Sequence, residues 1–201
     1  MRTFLVLHGL ENHRWPDHWQ RHLVTSLRSA GHCVVYPQLP NPEEPVQEHW
    51  HEVVRTEFEL LRESGVADVT VIAHSLSGLS MLALLEHYQP PLRIEHLLLV
   101  APADPELIAQ RTNFRLEPSS PAVREGLARS AASVTLLASD ADEWLPHGIH
   151  ATYAEPLGVA PVIFEGAGHI SMTDGFGKWH GVLAWAQAPE SSERSSLLVH
   201  R

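Results

Sequence analysis

The chain has 201 residues, of which 44% are hydrophobic and 19% charged, and its formal net charge is -10 at pH 7. One domain with a full core is the simplest organisation, since a globule of this length buries roughly 70% of the surface its unfolded chain exposes. The acidic balance argues against a nucleic-acid partner, the lone Cys33 excludes an internal disulfide, and the apolar runs fall far short of the ~20 residues that cross a bilayer.

Nothing at the amino end resembles an export signal, so a cytoplasmic location without membrane association is expected. TFLVL at 3 to 7 reads as a first strand and leads into HGLENH. Trp15, Trp19, Leu23 and Leu27 then recur every four residues up to Gly31, the pattern of an amphipathic helix with its carboxyl-terminal stop. His18 and His22 fall four apart on it, but no HExxH or Cys/His set supplies further ligands; solvated surface is the reading, not metal. CVVY at 33 to 36 is the second strand. Val46, Trp50, Val53, Val54, Phe58 and Leu61 mark a second helix before Gly65, and VTVIA at 69 to 73 is the third strand.

Helices are expected at about 78 to 88, 122 to 130, 147 to 157 and 179 to 187, around the strands HLLLV (96 to 100), VTLLA (134 to 138) and PVIF (161 to 164). Segment 104 to 121, with Pro105, Pro118 and Pro121, reads as a loop forming a small cap over the sheet's edge. Residues 189–201 read as a polar C-terminal tail, leaving 1–188 as the single domain. Strands that are apolar throughout and alternate with helices imply an α/β, three-layer sandwich with a mostly parallel sheet of about six strands. In such a sheet the ligand site lies beyond the strands' carboxyl ends.

Three of those ends carry hydrolytic chemistry. AHSLSG after the third strand places Ser75 at a strand-to-helix turn, where a nucleophile is exposed if the residues two places either side are small. Here they are Ala73 and Ser77, with Gly78 beyond, in place of the glycines of the usual G-x-S-x-G elbow. The competing reading makes Ser75 an ordinary helix cap. ASDADEWLP and GAGHI follow the fifth and sixth strands and supply, in chain order, an acid (Asp140, Asp142 or Glu143) and His169. His74 is read as packing beside the elbow, and His150 and His180 as helical. Trp19 and Trp50 are read as core and Trp144 as a wall of the pocket.

The stretches HGLENHRWPDHWQ, AHSLSG, ASDADEWLP and GAGHISMTDGFGKWHGV span most of the chain and resemble the small α/β-hydrolase family of retinoblastoma-binding protein 9 and its bacterial relatives. The resemblance implies a serine hydrolase of minimal size with Ser75 as nucleophile, His169 as base and Asp142 as acid, the last on the family's D-x-x-x-P spacing, with Asp140 in reserve. The backbone N–H groups of Leu76 and of Leu10, the latter rivalled by Glu11, would form the oxyanion hole. The expected partner is a small-molecule acyl substrate and no cofactor or metal is needed. The retinoblastoma-binding L-x-C-x-E motif is absent, so that partner is not expected, and no motif encodes the oligomeric state. The expected function is intracellular cleavage of a carboxylic ester, thioester or small amide. The alternative is a binding or regulatory module with an idle triad, which His169 out of reach of Ser75 would favour.

Overall fold

A computed structural model describes residues 1–189 and 194–199. The strands are β1 (Thr3–Leu7), β2 (Cys33–Val35), β3 (Asp68–His74), β4 (Arg93–Val100), β5 (Val134–Ser139) and β6 (Pro161–Phe164). They form one sheet in the order β2-β1-β3-β4-β5-β6, every neighbour parallel. The helices are α1 (Trp19–Ser29), α2 (Gln47–Glu63), α3 (Leu76–His87), α4 (Pro105–Ala109), α5 (Pro121–Ser130), α6 (Glu155–Leu157) and α7 (His180–Gln187).

Side chains on a strand alternate between faces, and here the alternation divides the core in two. Leu5, Leu7, Val69, Val71 and Ala73 point to one side and pack with α2, α3 and α5 through Trp50, Phe58, Leu79, Leu82 and Leu127. Phe4, Val6, Ile72 and Leu98 point to the other and pack with α1 and α7 through Trp19, Leu23, Leu27, Val182 and Trp185. Both faces are covered, which explains why the strands lack a polar alternation and why the fold is a three-layer α/β sandwich. Residues 76 to 85 of α3 are buried without exception.

The chain runs from β1 outward to β2 and then returns to place β3 on β1's other side. A crevice opens where the order reverses, between the carboxyl ends of β1 and β3.

Three expectations need correction. The first helix does not include Trp15: the Pro16 ring disfavours helical backbone at the residue before it, and α1 begins at Trp19 with His18 as its N-cap, leaving Trp15 in the preceding loop and 48% exposed. Segment 104 to 121 is not loop throughout, because Asp104 accepts from the N–H groups of Glu106 and Leu107 and Pro105 starts α4. The expected helix at 147 to 157 is a π-helical turn, His150–Ala154, continuing into α6. Of the tail, residues 190 to 193, 200 and 201 lie outside those described. Within 194 to 199, the Arg194 guanidinium donates to the Ala188 carbonyl at 2.8 Å, and Leu198 joins the α1/α7 side of the core.

Candidate active site

Ser75 sits between β3 and α3 with φ 57° and ψ -125°, a conformation that costs a side-chain-bearing residue of order 1–3 kcal/mol. Its side chain makes no capping bond to α3, so the reading of Ser75 as an ordinary helix cap does not hold. The hydroxyl instead lies 2.7 Å from Nε2 of His169. Nδ1 of His169 lies 2.9 Å from both carboxylate oxygens of Asp142, whose side chain is fully buried. The three groups converge from loops after β3, β5 and β6. The separation that would have favoured an idle module is absent.

The turn holds without the usual glycines because both replacements are useful. Ala73 is fully buried in the ladder against Leu7. The Ser77 hydroxyl accepts from the His74 N–H at 3.0 Å and has two acceptors for its own proton, the carbonyls of Leu7 and His74, each at 2.9 Å. Ser77 therefore ties the elbow to the end of β1, a role glycine cannot fill. Gly9, facing it, has no room for a side chain: a Cβ there would lie 2.8 Å from Ser75 Cβ.

Other polar groups brace the loops. Ser139 Oγ accepts from the N–H groups of Ala141 and Ala167, joining the loop that carries Asp142 to the one that carries His169. Asp140 accepts from the Gly166 N–H at 2.7 Å, so it bridges backbone and leaves His169 to Asp142. Asp174 takes the N–H groups of His169 and Ser171, each at 3.0 Å, together with the Ser171 hydroxyl. Gly168 makes this possible, since a Cβ there would strike the Asp174 carboxylate. His74 is buried and lies 3.0 Å from the His169 carbonyl through Nε2. Burial, then the neighbouring His169 and His18, lowers its pKa well below the ordinary value, so the ring is neutral and donates. It packs beside the elbow, as read from sequence, and also holds the histidine loop.

Two backbone amides near Ser75 lack an acceptor among the described residues. The Leu76 N–H is the first of α3 and has no acceptor within the helix. Glu11, the rival of Leu10, gives its N–H to the Pro42 carbonyl at 2.7 Å, whereas among the described residues no acceptor takes the Leu10 N–H. His8 orients the Leu10 amide. Its Nε2 accepts from the Leu39 N–H at 2.8 Å, so the proton sits on Nδ1 and goes to the Gly9 carbonyl at 2.8 Å. Because the peptide is planar and trans, fixing that carbonyl turns the Leu10 N–H the opposite way.

The cleft over Ser75 measures about 300 Å³ and is lined by residues that include Leu10, Trp15, His18, Ile108, Trp144 and Met172. Trp144 stands 5.9 Å from the His169 ring, and the Arg111 guanidinium lies 4.8 Å over its own ring. Trp19 and Trp50 are core, as expected, and Trp179 is buried with them. His150 opens the π-helical turn and His180 starts α7, away from the cleft. Solvated surface is the sequence expectation for His18, but the residue is 5% exposed and lines the cleft. Its place just before Trp19 and after Pro16-Asp17 was the available signal, since residues in that position cap helices and are held close to the fold. Among the described residues, no group of His, Cys, Asp and Glu could hold a metal ion.

Residues 4–187 match the serine hydrolase family. The ydeN gene product from B. subtilis is 22% identical, with a TM-score of 0.73 over 88% of this chain and 91% of that one. A YdeN-like hydrolase from Pectobacterium atrosepticum is 23% identical, with a TM-score of 0.72 over 99% and 93%. Est1E from Butyrivibrio proteoclasticus is 15% identical, with a TM-score of 0.61 over 84% and 79%. These structural likenesses concern the fold. No curated protein matches the sequence.

Proposed function

This chain belongs to the serine hydrolase family, and from that premise we propose that it cleaves a carboxylic ester, thioester or small amide through an acyl-enzyme formed on Ser75. The observation that carries the reading is the unbroken relay of Ser75 Oγ, His169 and Asp142 at 2.7 and 2.9 Å. A serine hydroxyl is a poor nucleophile until a base removes its proton. His169 Nε2 takes that proton as Oγ bonds to the substrate carbonyl carbon. Asp142 keeps the remaining proton on Nδ1 and offsets the imidazolium's charge. The new oxyanion receives the N–H groups of Leu76 and Leu10, each such donor contributing ~2.7 to 4 kcal/mol in well-studied enzymes. As the tetrahedral species collapses, the bond to the leaving group breaks and His169 returns the proton to it. Water then repeats the sequence on the acyl-enzyme and frees Ser75.

A cleft of about 300 Å³ sits at the lower end of the range for small-molecule sites and suits a short acyl group. Trp144 and Trp15 are its aromatic walls. Glu11, Glu143 and Asp174 line the cleft with no lysine or arginine among the lining residues, which favours uncharged acyl groups over anionic ones. No helix among the described residues is long and apolar enough to cross a membrane. The single Cys33, unpaired, suits the reducing cytoplasm we propose as its compartment.

The test is a fluorophosphonate probe followed by p-nitrophenyl esters of graded chain length. Labelling should map to Ser75, and Ser75→Ala should abolish it and lower kcat by several powers of ten, on the order of 10⁶. A folded wild-type protein that neither labels nor turns over any ester would overturn the proposal.

A further inference from the structure

Beside His169 and the bracing His74, the cleft is lined by a third imidazole, His18, that acyl transfer does not use. His18 Nδ1 accepts the Gln20 N–H at 3.2 Å, the capping bond of α1, so a neutral ring must carry its proton on Nε2. The ring is neutral at pH 7, since burial, helped by nearby His8, takes its pKa from 6.5 down to about 4. It packs at tilted angles against Trp19 and His74, each 5.6 Å away between centroids, and it shares the cleft lining with Ser75.

Among the described residues nothing accepts from His18 Nε2, and that atom is not one of those sealed from solvent without a partner. The other buried histidines differ. His8 spends both nitrogens on Gly9 and Leu39, His74 gives Nε2 to His169, and His51 Nε2 meets the Ser80 carbonyl. An oriented donor with no protein acceptor, on the wall of the cleft that holds Ser75, is suited to a substrate atom.

We propose that His18 is a specificity-determining residue whose Nε2–H donates to an uncharged oxygen of the substrate (ether, carbonyl or hydroxyl) flanking the scissile carbonyl. Substrates bearing such an oxygen are preferred to those with a methylene in its place. The inference rests on the acyl-transfer reading. The oxygen sits either on the acyl chain or on the leaving group, and the experiment separates the two.

His18→Asn is the informative variant. Asparagine is a favoured N-cap, its Oδ1 standing in for Nδ1 on the Gln20 amide, while no atom replaces Nε2. Two matched pairs are compared, p-nitrophenyl methoxyacetate with butyrate, and 2-methoxyethyl acetate with butyl acetate. Each pair exchanges one oxygen for a methylene. Dividing the kcat/KM values within a pair, and then wild type by variant, cancels intrinsic reactivity and any loss of folded enzyme. His18→Asn should lower the oxygen-to-methylene ratio roughly 3- to 10-fold, the worth of one neutral hydrogen bond, in the pair whose oxygen meets the ring. The acyl pair responding places the oxygen on the acyl side, and the acetate pair places it on the leaving group. Ratios unchanged in both pairs, whatever the absolute rates, would show that His18 only caps α1 and would overturn the inference while leaving the hydrolase standing. Wild-type protein that cleaves none of the four esters would overturn both.

Discussion

Alanine at Gly9 would drive a methyl group into Ser75, the proposed nucleophile. The added Cβ would lie 2.8 Å from Ser75 Cβ, 3.2 Å from Ser75 Oγ and 3.3 Å from the His74 carbonyl oxygen. Carbon atoms rest at about 3.5 to 4.0 Å, so the overlap with Ser75 Cβ is about 0.7 Å or more. Side-chain rotation cannot relieve it, because the position of a Cβ is set by the backbone and Ser75 is committed to its elbow. The two strand ends are also coupled, through the Leu7 and Ala73 register and the Ser77 hydroxyl on the Leu7 carbonyl. The β1 turn must therefore move away, and the Leu10 N–H moves with it. Overpacking of this size costs about 1–3 kcal/mol of stability. Misplacing a reacting group by 1 Å costs on the order of 10²-fold in rate. Gly9→Ala should lower kcat/KM about 100-fold, mostly in kcat, slow fluorophosphonate labelling in parallel and reduce the urea midpoint. Gly177→Ala is the control, since its nearest atom is the Asp17 carbonyl oxygen at 3.4 Å. Retention of kcat/KM within threefold in Gly9→Ala would refute the reasoning that this close approach sets the site.

Ser77→Ala strands the buried His74 N–H, and urea unfolding should show a loss of about 1–3 kcal/mol; no measurable change would mean that the hydroxyl does not hold the elbow. Stability should also fall with acid. His8 and His18 are each taken from 6.5 down to about 4, chiefly by burial, so between those values the unfolded chain binds protons that the native state does not. Their contribution is complete above about pH 6.5 and is lost as pH falls toward 4; at about 1.4 kcal/mol per unit, the pair carries on the order of several kcal/mol. A urea midpoint that stays level from pH 7.5 to 4.5 would contradict this.

What the sequence determined by itself was whatever depends on neighbours along the chain. Runs such as TFLVL and VTVIA had to be strands covered on both faces, and the order of AHSLSG, ASDADEWLP and GAGHI had to put a hydroxyl, a carboxylate and an imidazole, in that order, at the ends of the third, fifth and sixth strands. Even the missing elbow glycines were visible, though not what Ser77 does in their place, because its partner Leu7 is 70 residues away. The tertiary structure alone decided which polar side chains are buried. His18 looked like solvated surface because helical period says which residues share a face, while burial depends on what else covers that face, here Trp19 and His74. The same holds for the Leu10 and Glu11 amides: the Pro42 carbonyl, arriving from a distant loop, takes the Glu11 N–H and leaves the Leu10 N–H without an acceptor among the described residues. Local pattern sets the backbone's periodicity; desolvation and hydrogen-bond partnership are set by segments that meet only after folding.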